Sequence, residues 1–376
     1  MRVLLGAVLA LAMSCAGASA SDRLSDLYAA VLRNPADTQA NLRYARAAEA
    51  DGKLRWALAA YERIVANDPA SAEGQQGLSR VRRRLQPDST QYTIELGGIF
   101  ESNPRYSPNA HGELQALASF GMRDERTLGD MRWRTNFIAT GLLHQNEGDL
   151  NYGYAGATTG PVFDFLGGSR LVLGFGGGAA TFDRRFFYGE ALASATIESY
   201  YAGALQTLQF RAGYRDHDSF FPTTQGSFYD IRGRFALPGV FAEGNLFTVE
   251  PWLRWSAIGG LSTGPLFNVV QPGSYNEAGG KASFLHSLTD SVVAGPTLTY
   301  FHRSYNTDVL PANPSLKRED NVVGPGAVVW ITNPFTVAPN VLTALKIEYQ
   351  FYRDNSNDPT HTFDDHIVST SLVFRF

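Results

Sequence analysis

The periodicity of the chain changes near Gln91, and this change constrains the fold more than any other feature of the sequence. Between residues 91 and 376, about fourteen runs alternate apolar and polar residues, each about 9 to 14 residues long. The cleanest run, residues 343–351, reads TALKIEYQF. Alternation with period two predicts strands that have one apolar and one polar face, and the run length is that of strands crossing a bilayer.

The composition supports β-structure but does not decide between architectures. The chain has 37 Gly, 17 Tyr, 24 Phe and 5 Trp, a mixture that favours strands over helices. Its mean hydropathy of −0.17, with no long apolar run beyond the N-terminus, argues against membrane helices. The net charge of −4 gives no reason to expect a nucleic-acid partner. Since a soluble β-sandwich also alternates, further signals are needed.

Three further signals favour a transmembrane barrel. The last run ends in Phe374 and Phe376, an aromatic terminus of the kind that barrel-assembly machinery recognises, so we expect these two residues to form the insertion signal. Long connectors alternate with short turns; the long ones are expected near 101–113, 216–225, 257–273, 306–316 and 354–364. Aromatic residues near strand ends resemble interfacial girdles; they are Tyr92, Phe100, Tyr200, Tyr201, Trp252, Trp255, Trp330 and Tyr352.

The first twenty residues are predicted to be an export signal. Arg2 precedes a short apolar run, and Ala18-Ser19-Ala20 provides the small residues required for cleavage. Cleavage there would remove Cys15, the one cysteine of the chain. A lipoprotein signal processed just before Cys15 is the alternative.

Residues 21–88 are predicted to form a small helical domain of the tetratricopeptide type. Pro35 and Pro69 are 34 residues apart, which is the period of that repeat. Residues at the repeat's packing, turn and stop positions are Tyr44, Ala45, Gly52, Ala57, Tyr61 and Pro69. The pattern indicates four helices, with residues 22–33 as the first and residues 71–85 as the last. An ordinary helical hairpin is the alternative interpretation.

Charged residues recur on the face of the runs that would point into a barrel. The candidates for lining the lumen are Arg132, Arg134, Arg211, Arg215, Asp230, Arg232, Arg234, Glu250, Arg254 and Glu348. Such residues could set the field of a pore and attract an anionic solute. They could equally form salt bridges between strands that fill the barrel without conducting. Both interpretations stay open at the level of sequence.

Nothing in the sequence predicts catalysis. The seven histidines are scattered, with no serine or carboxylate placed to orient them, and no phosphate-binding glycine loop occurs. We therefore expect no catalytic residues, no cofactor and no dedicated metal site.

Together these segments resemble two groups of outer-membrane proteins. A signal peptide, a short tetratricopeptide segment and a barrel ending in Phe376 resemble the porins that export exopolysaccharides. They also resemble the surface lipoprotein assembly modulators, in which an Asp-Ser-Asn-like turn follows the first strand. Here Glu101-Ser102-Asn103 follows Phe100, and Asn355-Ser356-Asn357 follows the thirteenth run.

The segments predict an α+β chain with residues 1–20 as signal peptide, 21–88 as a periplasmic helical domain and 91–376 as an antiparallel barrel of about 14 strands in the outer membrane. The resemblance implies polymer export, exopolysaccharide first, with surface lipoprotein translocation as the alternative. A non-conducting structural or adhesive protein is a third hypothesis. The expected partners are outer-membrane lipids, the barrel-assembly machinery, and a periplasmic protein or the exported polymer.

Overall fold

A computed structural model describes residues 24–69, 71–85, 88–106, 111–129, 131–165, 169–201, 204–221, 225–240, 242–259, 273–310 and 313–376. The predicted signal peptide, including Cys15, lies outside the described residues. The chain divides into two compact units, one containing the helices and the other containing most of a β-barrel. Among the described residues, no helix is both long enough and apolar enough to cross a membrane.

Four helical segments make up the described part of the N-terminal unit: α1 (24–33), α2 (Thr38–Ala50), α3 (Leu54–Asn67) and α4 (Ala72–Leu85). Asp37 begins α2, because its carboxylate accepts hydrogen bonds from the backbone N–H groups of Gln39 and Ala40 at 2.9 and 3.0 Å. The helices follow the boundaries expected from the sequence, and residues 86–88 alone separate α4 from the barrel.

Small residues let these helices approach closely. Ala45 and Ala57 are fully buried, and Tyr44 and Tyr61 are at most 6% exposed. A Cβ atom on Gly77 of α4 would lie 2.1 Å from the ring of Tyr61, so this position admits only glycine without repacking.

Turn residues and one buried amide complete the helical unit. Gly52 lies in the α2–α3 turn with φ of +71°, and Pro69 follows the end of α3. Asn41 occupies the position where the repeat usually has a large aromatic residue. It is fully buried, donates to the carbonyls of Pro35 and Asp37, and accepts from Arg63. The helical arrangement is shown, whereas its tetratricopeptide character stays a prediction.

Fourteen antiparallel strands form a closed barrel, in which each strand pairs with its neighbours in the chain and β1 pairs with β14. The strands are β1 (Ser89–Glu101), β2 (Glu113–Leu128), β3 (Met131–His144), β4 (Tyr152–Asp164), β5 (Arg170–Phe182), β6 (Arg185–Tyr201), β7 (Ala204–His217), β8 (Gly226–Pro238), β9 (Asn245–Ala257), β10 (Ser274–Ser287), β11 (Val292–Leu310), β12 (Asn313–Thr332), β13 (Leu342–Ser356) and β14 (Phe363–Arg375). The predicted fold class and strand number are confirmed. Closure leaves no sheet edge exposed.

The C-terminal residue completes the closure. Phe376 and Tyr92 exchange two backbone hydrogen bonds of 3.1 and 2.7 Å, and their ring centroids lie 5.4 Å apart. Phe374, Phe376 and Val368 share the outward face of β14, as the alternation predicts.

The outward face of the barrel is apolar. Large side chains on ten strands are between 37% and 55% exposed; they are Leu96, Phe175, Ile197, Phe210, Phe235, Leu253, Leu298, Val323, Ile347 and Val368. Soluble proteins rarely expose an apolar surface of this extent. A belt of this kind requires an apolar environment around the barrel.

The connectors differ from the expected alternation of long and short. We call the end where odd-numbered strands finish the loop end, and the opposite end, which carries both barrel termini, the turn end. Residues 102–112 and 258–273 are long loop-end connectors, as expected. The long connector expected at 306–316 is wrong, because β11 and β12 extend to within two residues of each other, at Leu310 and Asn313. The turn-end connector 333–341 is longer than expected.

Candidate functional site in the barrel lumen

Among the described residues, two adjoining cavities lie in the lumen. One, of about 730 Å³, runs from the middle of the barrel toward the turn end. The other, of about 410 Å³, lies toward the loop end. We call them the turn-end cavity and the loop-end cavity. Both are lined by the inward-facing residues of the strands, because alternate side chains of each strand point to the barrel interior.

The lining of the turn-end cavity carries an excess of positive charge. Eight cationic side chains face three acidic ones, a formal excess of five positive charges; the cations are Arg123, Arg134, Arg211, Arg232, Arg234, Arg254, Lys281 and Arg303, and the acids are Glu198, Glu250 and Glu277. Hydroxyl and aromatic groups occupy much of the remaining lining, among them Thr158, Thr196, Trp252 and Tyr352. The cavity is therefore polar and cationic.

An alternating charge row crosses six neighbouring strands on the lumen face. Each member stands opposite the next in the strand register, from β7 to β12; the row is Arg211, Asp230, Arg254, Glu277, Arg303 and Asp320. Opposite charges on directly facing residues stabilise a sheet. The row follows the hydrogen-bond direction, so in a barrel of tilted strands it spirals from the middle of the lumen toward the loop end.

Two acidic members of this row, Glu277 and Asp320, are buried and closely paired with arginines inside or next to the row. Glu277 has 1% of its side chain exposed; it accepts from Arg303 Nε at 2.8 Å, from Arg254 Nη1 at 3.0 Å and from Trp252 Nε1 at 2.6 Å. Asp320 is fully buried and accepts from Arg318 Nε at 2.9 Å. Inward charges of the lumen are therefore in part structural pairs between strands.

Predicted lumen residues fall into three groups. Eight of them line at least one of the two cavities from positions on β3 and β7–β9; they are Arg134, Arg211, Arg215, Asp230, Arg232, Arg234, Glu250 and Arg254. Arg132 lies outside both linings and pairs with Asp88 at 3.1 Å. Glu348 lies outside them as well and pairs with Lys281 at 2.7 Å and with Lys346.

Most of the lining arginines have acidic partners. Arg134 is clamped by Glu198 at 2.6 Å and by Glu125 at 2.9 Å, with its side chain 5% exposed. Arg215 pairs with Glu190 at 2.8 Å. Arg232 and Arg234 keep about half of their side chains exposed to the cavity, at 45% and 46%. The two β8 arginines are therefore the most available to a solute among these pairs.

Buried aromatic residues form a layer at the loop end of the lumen. We call this set the aromatic layer; each member is at most 8% exposed, and the members are Tyr152, Tyr188, Phe228, Tyr275 and Tyr305. The guanidinium of Arg215 lies 4.6 Å from the ring centre of Tyr188 and 4.5 Å from that of Phe228. The aromatic layer therefore bounds the loop-end cavity, and cation–π contacts with Arg215 stabilise two of its rings.

The described start of the first loop-end connector, residues 102–106, reaches this region through Tyr106. Tyr106 packs against the Tyr152 and Tyr188 cluster and donates to Glu101 Oε1 at 2.7 Å. Burial, together with the carboxylate of Glu101, raises the pKa of the Tyr106 phenol well above its usual range. Tyr106 therefore contributes to the filled part of the lumen.

Several lumen residues are absent from the sequence prediction. Glu190, Glu277, Lys281 and Arg303 line the cavities beside the predicted arginines. The signal for Glu277 and Lys281 was weak, because β10 carries small residues such as Ala278 and Ala282 on its outward face, where other strands carry large apolar ones. The two faces of β10 are therefore hard to tell apart from sequence.

Two residues expected in the interfacial girdles lie in the lumen instead. Trp252 and Tyr352 both line the turn-end cavity. Side chains two residues apart on a strand share a face. Trp252 therefore faces inward together with Glu250 and Arg254 on β9. Tyr200, Tyr201 and Trp255 are exposed, at 67%, 65% and 38%.

The helical unit has a groove of its own, of about 520 Å³. Its lining combines aromatic residues with two cations and includes Tyr28, Tyr44, Lys53, Trp56 and Arg63. Trp56 is 51% exposed, and Lys53 Nζ lies 4.7 Å from its ring centre. The groove is a concave, partly aromatic surface on the described helices.

Within the described ranges, no group of three or more His, Cys, Asp or Glu side chains is placed to hold a metal ion. The site is therefore defined by the barrel and its charged lumen: a closed fourteen-stranded barrel with an apolar exterior and a cationic interior.

No family model matches the chain, and no curated protein is detectably similar to it in sequence. Among solved structures, a BenF-like porin from Pseudomonas fluorescens Pf-5 is similar, with 11% identity over 75% of this chain and 98% of that chain and a TM-score of 0.40. A bacterial polysaccharide outer membrane secretin has 10% identity over 76% and 98% of the two chains, with a TM-score of 0.40. The loop L8 deletion form of OmpT from Vibrio cholerae has 8% identity over 77% and 100%, with a TM-score of 0.38.

Proposed function

We propose that this protein is an outer-membrane channel whose lumen conducts a hydrophilic, anionic solute. The observation that carries the proposal is the change of polarity across the barrel wall: apolar side chains face outward, and charged side chains line cavities of about 730 and 410 Å³ inside. Outward Leu253 and inward Arg254 are successive residues of β9 and represent the two sides. A barrel in lipid has this arrangement, and a soluble barrel has the reverse.

An acidic polysaccharide in extended form is the solute class that we favour. Guanidinium groups pair with carboxylates, and the ring of Trp252 in the turn-end cavity provides a flat surface for a sugar ring. The two cavities adjoin along the strands, so a chain-like solute would occupy both in turn. The aromatic layer is then the region that must rearrange, or be passed at its side, for a polymer to leave at the loop end.

We place the helical unit in the periplasm. Both barrel termini lie at the turn end, and the short periplasmic turns of outer-membrane barrels lie at that end as well. The groove around Trp56, with Lys53 and Arg63 beside it, is the surface that we assign to a periplasmic partner with acidic character.

Planar-bilayer recording of the purified full chain tests the proposal. The folded protein is expected to give stepwise conductance and, in a KCl gradient, a reversal potential that shows preference for chloride over potassium. Tyr188→Ala removes a ring of the aromatic layer and is expected to raise the unit conductance, whereas Arg353→Gln, a substitution outside both cavity linings, is expected to leave it unchanged. Folded wild-type and Tyr188→Ala proteins that insert without conducting would contradict the channel.

A further inference from the structure

The two lumen cavities meet at a cluster of three arginines. Their linings share five residues, and three of these are Arg211, Arg232 and Arg254. The three belong to the neighbouring strands β7, β8 and β9, so their guanidinium groups converge on one point of the wall. A solute that moves from one cavity to the other has to pass this point.

A single carboxylate stands among the three guanidinium groups. Asp230 has 4% of its side chain exposed; its oxygens lie 2.8 Å from Arg232 Nε, 3.4 Å from Arg254 Nε and 3.6 Å from Arg211 Nη2. Glu277 is a second carboxylate paired with Arg254, but it also pairs with Arg303. Four arginines therefore share two carboxylates, which leaves a formal excess of two positive charges.

Two donors of the cluster make no hydrogen bond, although a carboxylate oxygen of Asp230 lies 3.4 Å from Arg254 Nε. The Nε atoms of Arg211 and Arg254 are shielded from solvent and make no hydrogen bond. Buried donors of this kind are costly unless something accepts from them. Arg232 in addition keeps nearly half of its side chain exposed in the cavity, where a solute can reach it. Arg232 is therefore the member of the cluster that a solute in the cavity reaches first.

We infer that this cluster, Arg211, Arg232 and Arg254 around Asp230, is a binding site for the carboxylate of a sugar-sized anion. The inference rests on the proposed function and names the ligand class of the lumen. Asp230 shows that a carboxylate fits between the three guanidinium groups. The planar, forked guanidinium of arginine can donate to the carboxylate of a ligand in the same way. Cavities of about 730 and 410 Å³ on either side hold the rest of a molecule of monosaccharide to disaccharide size.

Glucuronate is a suitable probe, because it combines one carboxylate with a sugar ring, and glucose is its neutral counterpart. In planar bilayers, glucuronate is expected to reduce the chloride conductance of the wild-type channel in a saturable manner, and glucose is not. Arg232→Gln and Arg211→Gln should each raise the half-blocking concentration at least tenfold. Arg353→Gln, which removes an outward arginine that is 54% exposed, should change it less than twofold.

Titration calorimetry of glucuronate into the folded, detergent-solubilised full chain separates this inference from the channel itself. If the wild type binds glucuronate and Arg232→Gln lowers the affinity at least tenfold, the site is supported even where no conductance is recorded. Gel mobility of the unheated protein establishes that each variant is folded. Conductance without saturable block, or equal weakening by Arg232→Gln and Arg353→Gln, would overturn the inference.

Discussion

Removal of the negative charge from Glu277 is expected to destabilise the barrel strongly. Glu277 lies in the alternating charge row between Arg254 and Arg303, and its side chain is 1% exposed. Glu277→Gln keeps the size of the side chain and an oxygen that can accept from Trp252, but it leaves the arginines without their counter-charge. Loss of one partner of a buried ion pair costs about 3 to 5 kcal/mol.

Glu250→Gln is the matched control, because it removes the same charge from the same lumen on the adjacent strand. Glu250 makes one 3.3 Å pair with Arg234, and both side chains are about half exposed, at 45% and 46%. Exposed pairs contribute about 0 to 1 kcal/mol. Urea unfolding in lipid vesicles, followed by the fraction with folded gel mobility, measures both free energies. Equal losses of stability in the two variants would refute the structural role assigned to the row.

Three further predictions concern the helices, the barrel terminus and one loop. Gly77→Ala should destabilise the helical unit by about 1 to 3 kcal/mol through overpacking against Tyr61, seen as faster proteolysis of that unit in the full chain. Phe376→Ala should lower the assembled fraction of barrel on unheated gels, because it removes the ring beside the closing hydrogen bonds. Burial opposes ionisation of Asp358, but hydrogen bonds from the hydroxyl and N–H of Thr360 and from the neighbouring imidazole lower its pKa. The stabilisation of the β13–β14 loop by the ionised Asp358 carboxylate should therefore be complete above the ordinary Asp pKa of about 3.9. It should be lost as pH falls through the lower folded value, and amide exchange at Thr360 reports this loss.

Each of these predictions has a result that would contradict it. Unchanged proteolysis of Gly77→Ala would show that Tyr61 can move aside without cost. Normal assembly of Phe376→Ala would show that barrel closure does not need the terminal ring. If amide exchange at Thr360 is equally slow in Asp358→Asn and in the wild type at neutral pH, the carboxylate does not order the loop.

Local periodicity was sufficient to predict the barrel. The alternation that places Leu345 and Ile347 outward and Lys346 inward holds over most strands, and a closed barrel is the arrangement that satisfies such strands in lipid. It was insufficient at residues 306–316, where prolines and polar residues predict a connector. Pairing of Val309 with Lys317 extends the hairpin instead, so cross-strand hydrogen bonds outweigh turn-forming composition there.

The candidate site was only partly predictable, because it depends on register. Sequence parity places Arg211, Asp230 and Arg254 on the inward face, but it does not say that they stand opposite one another. That alignment follows from the pairing of β7, β8 and β9, which is a property of the whole sheet. The convergence of three arginines on one carboxylate therefore becomes visible only in the folded chain.

The central claim is that lipid surrounds the outward face and that water fills the lumen. Cysteine labelling on β9 tests it directly, in a Cys15→Ser background that otherwise has no thiol. In lipid vesicles, a membrane-impermeant maleimide is expected to label Glu250→Cys, which faces the lumen, and to spare Leu253→Cys until detergent is added. Rapid labelling of Leu253→Cys in intact vesicles, with Glu250→Cys protected, would contradict the account.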